Sequence, residues 1–274
     1  MTTEPRDHQA PRIRVGCAGL PPRMARERYW RDLDFIESDV TYRDPPRRAA
    51  LRGWRESAPQ GALISLLAWQ AITHRAGRQG YALKGTPLTP AELAATGNFR
   101  DSPTVRRAVE VMAEAVEATG AEAVVFRTPA SFAPSAKNRD AMTRFFNEIA
   151  TADALGGARR IWEPEGLWRP EEAIRLAREL KLVVAVDPLA RDPLEEQAPA
   201  LAYELPRELG YFRITGMGSS DRQIDSGDLE LLAEFIEDFD RAWVVFANIA
   251  KFADARRFAR TVGAAPGQPE SETD

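Results

Sequence analysis

Cysteine occurs once in this chain, at Cys17, and histidine only at His8 and His74. A single thiol excludes an internal disulfide and fits a reducing compartment. So few Cys and His residues also argue against a zinc centre, which needs such ligands clustered. No apolar run reaches the roughly eighteen residues of a membrane span, and MTTEPRDHQAPR at the start lacks the apolar stretch of a secretory signal. The expectation is a soluble, cytoplasmic protein that meets no membrane. A phosphate loop, a G-x-G-x-x-G turn after a strand and a G-x-S-x-G elbow are all missing.

The net charge of −4 is unevenly spread. Residues 11–110 hold seventeen Arg and Lys against ten Asp and Glu, whereas residues 111–274 hold nineteen against twenty-nine. A basic front half can attract an anionic partner, but charge blocks on helices are more often solvated faces.

The chain is patterned by short apolar runs at Ile13–Cys17, Leu33–Glu37, Ala62–Leu67, Ala123–Phe126, Arg160–Trp162, Leu182–Val186, Tyr211–Ile214 and Trp243–Phe246. Several are apolar throughout, as parallel strands buried on both faces are. Helical periodicity fills the intervals, with stripes at Val105, Val109, Met112 and Val116, at Ala141, Phe145 and Ile149, at Leu51, Trp54 and Ala58, and at Leu229, Leu232 and Ile236. Ser135 suits a helix N-cap and Pro170 a first helical residue. Eight strands alternating with helices predict an α/β fold, a single (β/α)8 TIM-type barrel over 12–263 between disordered tails at 1–11 and 264–274. The long interval from Trp69 to Pro103 reads as a loop excursion after strand 3, over the barrel mouth.

In such barrels chemistry sits just after each strand. Those positions hold Glu37, Trp69 with His74, Arg127, Glu163, Asp187, Arg213 with Thr215, and Asn248. Glu37, Glu163, Asp187 and His74 are the candidate acid/base groups. Arg127 and Arg213 are candidate anion clamps, and Trp69, Trp168, Asn248 and Thr215 complete a candidate ligand pocket. Plainer readings stand beside these: ion pairs closing the barrel end, Asp187 capping a turn before Pro188, a structural histidine, and tryptophans that simply pack. Glu37, Glu163 and Asp187 have the chemistry for magnesium or manganese, but no spacing demands it, so no metal or cofactor is expected. Gly216-Met217-Gly218-Ser219-Ser220 lies where many barrels bind phosphate, yet reads as a plain loop.

VGCAGLP (15–21), LDFIESDVTYRDPP (33–46), LLAWQAITH (66–74), VVFRTPASFAPS (124–135), WEPEGLW (162–168), VAVDP (184–188), YFRITG (211–216) and VVFAN (244–248) occur in order. Together they resemble the YecE-like domain-of-unknown-function family 72 across residues 13–262. The resemblance implies a TIM barrel and no settled activity. Against the family's pattern, Leu67 stands for a Lys, Arg127 for a Gln, Glu165 for an Arg, Thr215 for a His and Ala247 for an Asn. Glu37, Thr41, Trp69, His74, Glu163, Asp187, Arg213 and Asn248 are retained. The chain thus resembles a divergent member, and the lost donors point to a small anionic-ligand binding or pseudo-enzyme barrel acting with a protein partner. The alternatives are a hydrolase or lyase on a phosphorylated or sugar-like substrate and, third, nucleic-acid processing, for which no basic stretch with interleaved aromatics speaks. Sequence leaves the oligomeric state open.

Overall fold

A computed structural model of the protein describes residues 12–190, 204–216 and 224–264. The expected tails lie outside these residues apart from Ala264, as do positions 217–220 of the glycine-rich loop. Eight strands form the barrel: β1 (Arg12–Ala18), β2 (Phe35–Ser38), β3 (Leu63–Leu67), β4 (Ala123–Arg127), β5 (Arg159–Glu163), β6 (Val183–Val186), β7 (Gly210–Ile214) and β8 (Arg241–Phe246). Each pairs in parallel with the next, and β8 closes on β1 through pairs such as Val15–Val244. Every strand falls at its predicted run.

Helices described between them are α1 (Arg26–Asp32), α2 (Arg48–Ser57), α3 (Gln70–Thr73), α4 (Pro90–Ala94), α5 (Pro103–Thr119), α6 (Ala136–Arg144), α7 (Pro170–Glu179), α8 (Ser226–Ile236) and α9 (Lys251–Thr261). The stripe Val105, Val109, Met112 and Val116 is buried on α5. Ser135 caps α6 by accepting the Asn138 amide at 3.2 Å, and Pro170 opens α7. The stripe Ala141, Phe145, Ile149 does not continue as one regular helix, because α6 passes into a π-helical turn over Phe145–Ile149. That wider turn lets the adjacent Phe145 and Phe146 both enter the core, their rings 5.0 and 5.4 Å from Phe99.

Successive residues of a strand face opposite sides, and this divides the core in two. Phe35, Leu63, Val125, Ile161, Tyr211 and Trp243 fill the barrel interior. Their neighbours, such as Ile36, Ile64, Val124, Phe212 and Val244, pack outward against the helices. Gly16 is required where β1 meets β2, since a Cβ there would lie 2.1 Å from the Phe35 carbonyl oxygen.

The excursion after β3 carries α3, a minimal hairpin pairing Ala82–Leu83 with Thr86–Pro87, and α4, which a Thr89–Glu92 capping box starts. It returns through Gly97, Asn98 and Phe99, all at positive φ, whose amides bond the carbonyls of Ala71, Thr73 and Ile72. Gly97 has no substitute here, because its Cβ would fall 2.3 Å from the Arg75 nitrogen. Phe99 at this return is buried among Phe126, Phe132, Phe145 and Phe146, so both ends of the excursion are anchored.

Candidate functional site

Two residues beyond the interior layer, the same alternation turns Glu37, Arg127, Glu163 and Arg213 inward at the C-terminal strand ends. They form a continuous chain of charge. Arg213 donates through Nε to Glu37 Oε1 at 3.0 Å and through Nη1 to Glu163 Oε1 at 3.1 Å. Arg127 Nε lies 2.5 Å from Glu163 Oε2, an ion-pair contact not aligned as a hydrogen bond. Arg127 Nη2 donates to Glu165 Oε1 at 2.9 Å. From below, Tyr211 donates to Glu37 Oε2 at 2.7 Å, and its oxygen lies 3.1 Å from Ser65 Oγ.

The inner end of this charged row is buried. Glu37 is fully buried, with Arg213 and Glu163 only 7% and 8% exposed. Burial is the largest influence on Glu163 and raises its pKa, while Arg213 and Arg127 pull it down. Burial opposes the charge on Arg213, but Glu37 and Glu163 outweigh it and hold the guanidinium protonated. Burial, reinforced by Glu37, keeps the Tyr211 phenol neutral. The outer end, at Arg127 and Glu165, is partly open to solvent. Arg127 and Glu165 are thus bonded to each other.

The other expected residues divide. Asp187 accepts the Thr215 amide and hydroxyl, both at 2.7 Å, and the Leu189 amide at 3.0 Å. Its carboxylate therefore ties the end of β6 to the end of β7, and the Thr215 hydroxyl is engaged in the same tie. Trp69 and Trp168 are both buried, with ring N–H groups bonded to the Arg43 and Phe132 carbonyls. Trp168 also packs edge-on against Trp162, so packing accounts for it. Asn248 donates to the buried Asp254 at 2.7 Å, while its own Oδ1 is buried without a partner. Cys17 is buried, and burial pushes its thiol up to about 12, which disfavours the thiolate in the folded chain. Among the described residues no group of three or more His, Cys, Asp or Glu is arranged to hold a metal ion.

His74 stands half-buried at the edge of the mouth, its Nδ1 2.8 Å from Thr73 Oγ1 and its ring edge-on to Tyr42. Burial lowers its pKa, with Glu165 and Arg127 close enough to act on it in opposite senses. His74 also lines a cavity of about 490 Å³ beside the mouth, together with Arg75, Asn98, Arg100 and Lys137. Sequence reading passed over these three cations, and Tyr211 and Ser65 with them. The segment HRAGRQG was the one visible signal, a cluster of positive charge in a loop anchored to the barrel.

A closed eight-stranded parallel barrel ringed by helices, with buried charges gathered at the C-terminal strand ends, defines an α/β protein of TIM-barrel type. The sequence matches the family described as protein of unknown function DUF72 over residues 17–273. The chain belongs to that family. Among solved structures, a DUF72 family protein from Enterococcus faecalis is 15% identical, with TM-score 0.65, over 96% of this chain and 100% of that one. Another from Thermotoga maritima is 15% identical, with TM-score 0.62, over 92% and 99%. The 3-keto-D-glucoside 4-epimerase YcjR from E. coli shares the fold at 13% identity, with TM-score 0.56, over 92% and 99%. No curated protein matches the sequence. No helix among the described residues is long and apolar enough to cross a membrane.

Proposed function

We propose that this DUF72 barrel is a cytoplasmic binding protein for a small, hydroxyl-rich ligand, held at the mouth by the alternating carboxylates and guanidiniums of the ladder. The observation that carries this reading is the double engagement of both arginines. Arg213 faces Glu37 and Glu163, and Arg127 faces Glu163 and Glu165. Three carboxylates against two guanidiniums leave a net negative charge, so this basin is a poor clamp for an anion by itself. It is a good partner for hydroxyl groups, which both donate and accept. The 3-keto-D-glucoside 4-epimerase, which shares the fold, is named for a sugar-type substrate, and that agrees with the chemistry of the mouth. In this reading Asp187 and Thr215 hold the rim in place, and the loaded barrel acts through a protein partner. Leu167 and Ile249, 75% and 77% exposed in the loops after β5 and β8, would meet that partner.

Calorimetry of wild type and Glu163→Gln against a panel of unphosphorylated sugars and polyols tests this. At least one should bind, and Glu163→Gln should weaken it about tenfold, the worth of one charge-assisted hydrogen bond. If none binds the wild type, the reading fails.

A second reading is favoured by one property of Glu163. Its carboxyl, raised by burial, has the character of a proton-transfer group, as an enzyme on a sugar-like substrate requires. Solvent deuterium entering a bound sugar, and stopping in Glu163→Gln, would select the enzyme over the binding protein.

A further inference from the structure

The ladder leaves the cations of the neighbouring cavity untouched. Arg75, Arg100 and Lys137 come from three places in the chain: the loop after α3, the return of the excursion, and the first turn of α6. All line the same space of about 490 Å³, within the usual size of small-ligand pockets. No acidic residue lines it, and among the described residues none of the three cations is ion-paired. Arg100 is steadied by donating one Nη1 bond to the Ala94 carbonyl at 2.8 Å. Elsewhere on this molecule arginines meet carboxylates repeatedly, as Arg106 meets Asp101 and Arg139 meets Glu172. Three like charges lining one concavity repel one another, and a bound anion would offset that repulsion.

We propose that this cavity is a phosphate-binding subsite, in which Arg75, Arg100 and Lys137 hold the phosphoryl group of a small phosphorylated ligand. His74, which lines the cavity and lies within electrostatic reach of Arg127 and Glu165, joins it to the mouth. A phosphate seated there leaves the hydroxylated body of the same molecule over the ladder, so the ligand class becomes a sugar phosphate or similar phosphomonoester. The anion is therefore held beside the mouth and not by Arg127 and Arg213. The placement of the ligand body rests on the hydroxyl-binding reading of the mouth; the phosphate site itself does not.

Titration calorimetry and phosphorus NMR with inorganic phosphate and glucose 6-phosphate, at low ionic strength, provide the test. Both should bind wild type. Arg75→Ala/Lys137→Ala should weaken both about tenfold or more while melting at the wild-type temperature, since charge-assisted contacts to phosphate are strong and both side chains are exposed. Arg52→Ala, exposed on α2 away from the cavity, should leave binding unchanged. Absence of phosphate binding in wild type, or an equal loss in Arg52→Ala, overturns the proposal. So does a short single-stranded oligonucleotide that binds far more tightly than glucose 6-phosphate through the same residues. Unphosphorylated glucose, tested alongside, isolates the mouth. If phosphate binding depends on Arg75 and Lys137 but no sugar binds and glucose 6-phosphate gains nothing over phosphate, the hydroxyl reading fails and the phosphate site stands.

Discussion

Arg127 and Arg213 at the mouth and Arg75, Arg100 and Lys137 in the adjoining cavity are two groups of cations at one barrel end, with opposite surroundings. The first group is buried or half-buried and each member faces two carboxylates. The second is more exposed and no carboxylate lines its shared cavity, although Arg100 and Lys137 also border an adjoining one with Asp101 and Asp140. Position after a strand gathers charge; the partner of each charge decides what it does. Paired, an arginine holds carboxylates in place and sets the shape of the site. Unpaired in a concavity, it is free for a ligand.

The largest effect expected from this contrast is on stability. Arg213→Ala should destabilise the fold by about 3–5 kcal/mol in urea unfolding, because Glu37 stays buried without its cation and Glu163 keeps only Arg127. Arg75→Ala/Lys137→Ala should change stability by no more than about 0.5 kcal/mol, as exposed substitutions do. Equal losses in the two experiments would erase the distinction between the groups.

A smaller effect belongs to the open end of the ladder. A double-mutant cycle on Arg127→Ala and Glu165→Ala should give a coupling of about 0.5–1 kcal/mol, since Glu165 is partly solvated. No measurable coupling would make the pair incidental.

His74 sharpens the boundary between the two regions. Burial holds its folded pKa below the ordinary 6.5, so between the two values the unfolded chain binds more protons. Its contribution to stability is therefore complete above 6.5 and lost as pH falls through the lowered value. Unfolding followed across that window should show stability rising with pH in wild type and a flatter profile in His74→Gln. An unchanged profile would mean that the ring is freely solvated.

The smallest effect is a null. With its pKa pushed up to about 12, Cys17 should resist a thiol reagent at neutral pH until urea unfolds the chain. Rapid modification of the folded protein would show that β1 opens.

The barrel was legible because parallel strands covered on both faces write themselves as unbroken apolar runs, and LVVAV or AVVF allows little else. The place of Glu37, Glu163 and Arg213 at the barrel mouth followed from their position at the C-terminal end of each run. Their pairing did not, because closure brings together Glu37 and Arg213 from positions 176 residues apart. Tyr211 was hidden for a different reason: it lies inside an apolar run and reads as core, yet its hydroxyl supports Glu37. Asp187 and the two tryptophans show the other side of this: residues of functional type whose groups are engaged in tying and packing, the plainer reading that also stood in the sequence. The basic cavity escaped because its three cations are far apart in sequence and meet only where Phe99 pins the excursion to the barrel.

The closure of β8 on β1 also bears on how the chain is made. At a ribosomal pace of roughly 5–20 residues per second, about 9–35 s separate the emergence of Glu37 from that of Arg213, its partner 176 residues later. Through that interval the carboxylate has no cation to accompany it indoors, so β2 has reason to remain hydrated until β7 arrives. The first strand waits longer still, because its neighbour β8 ends at Phe246. A nascent chain stalled short of that residue exposes the edges of an open parallel sheet, the surface that chaperones bind and aggregates grow from.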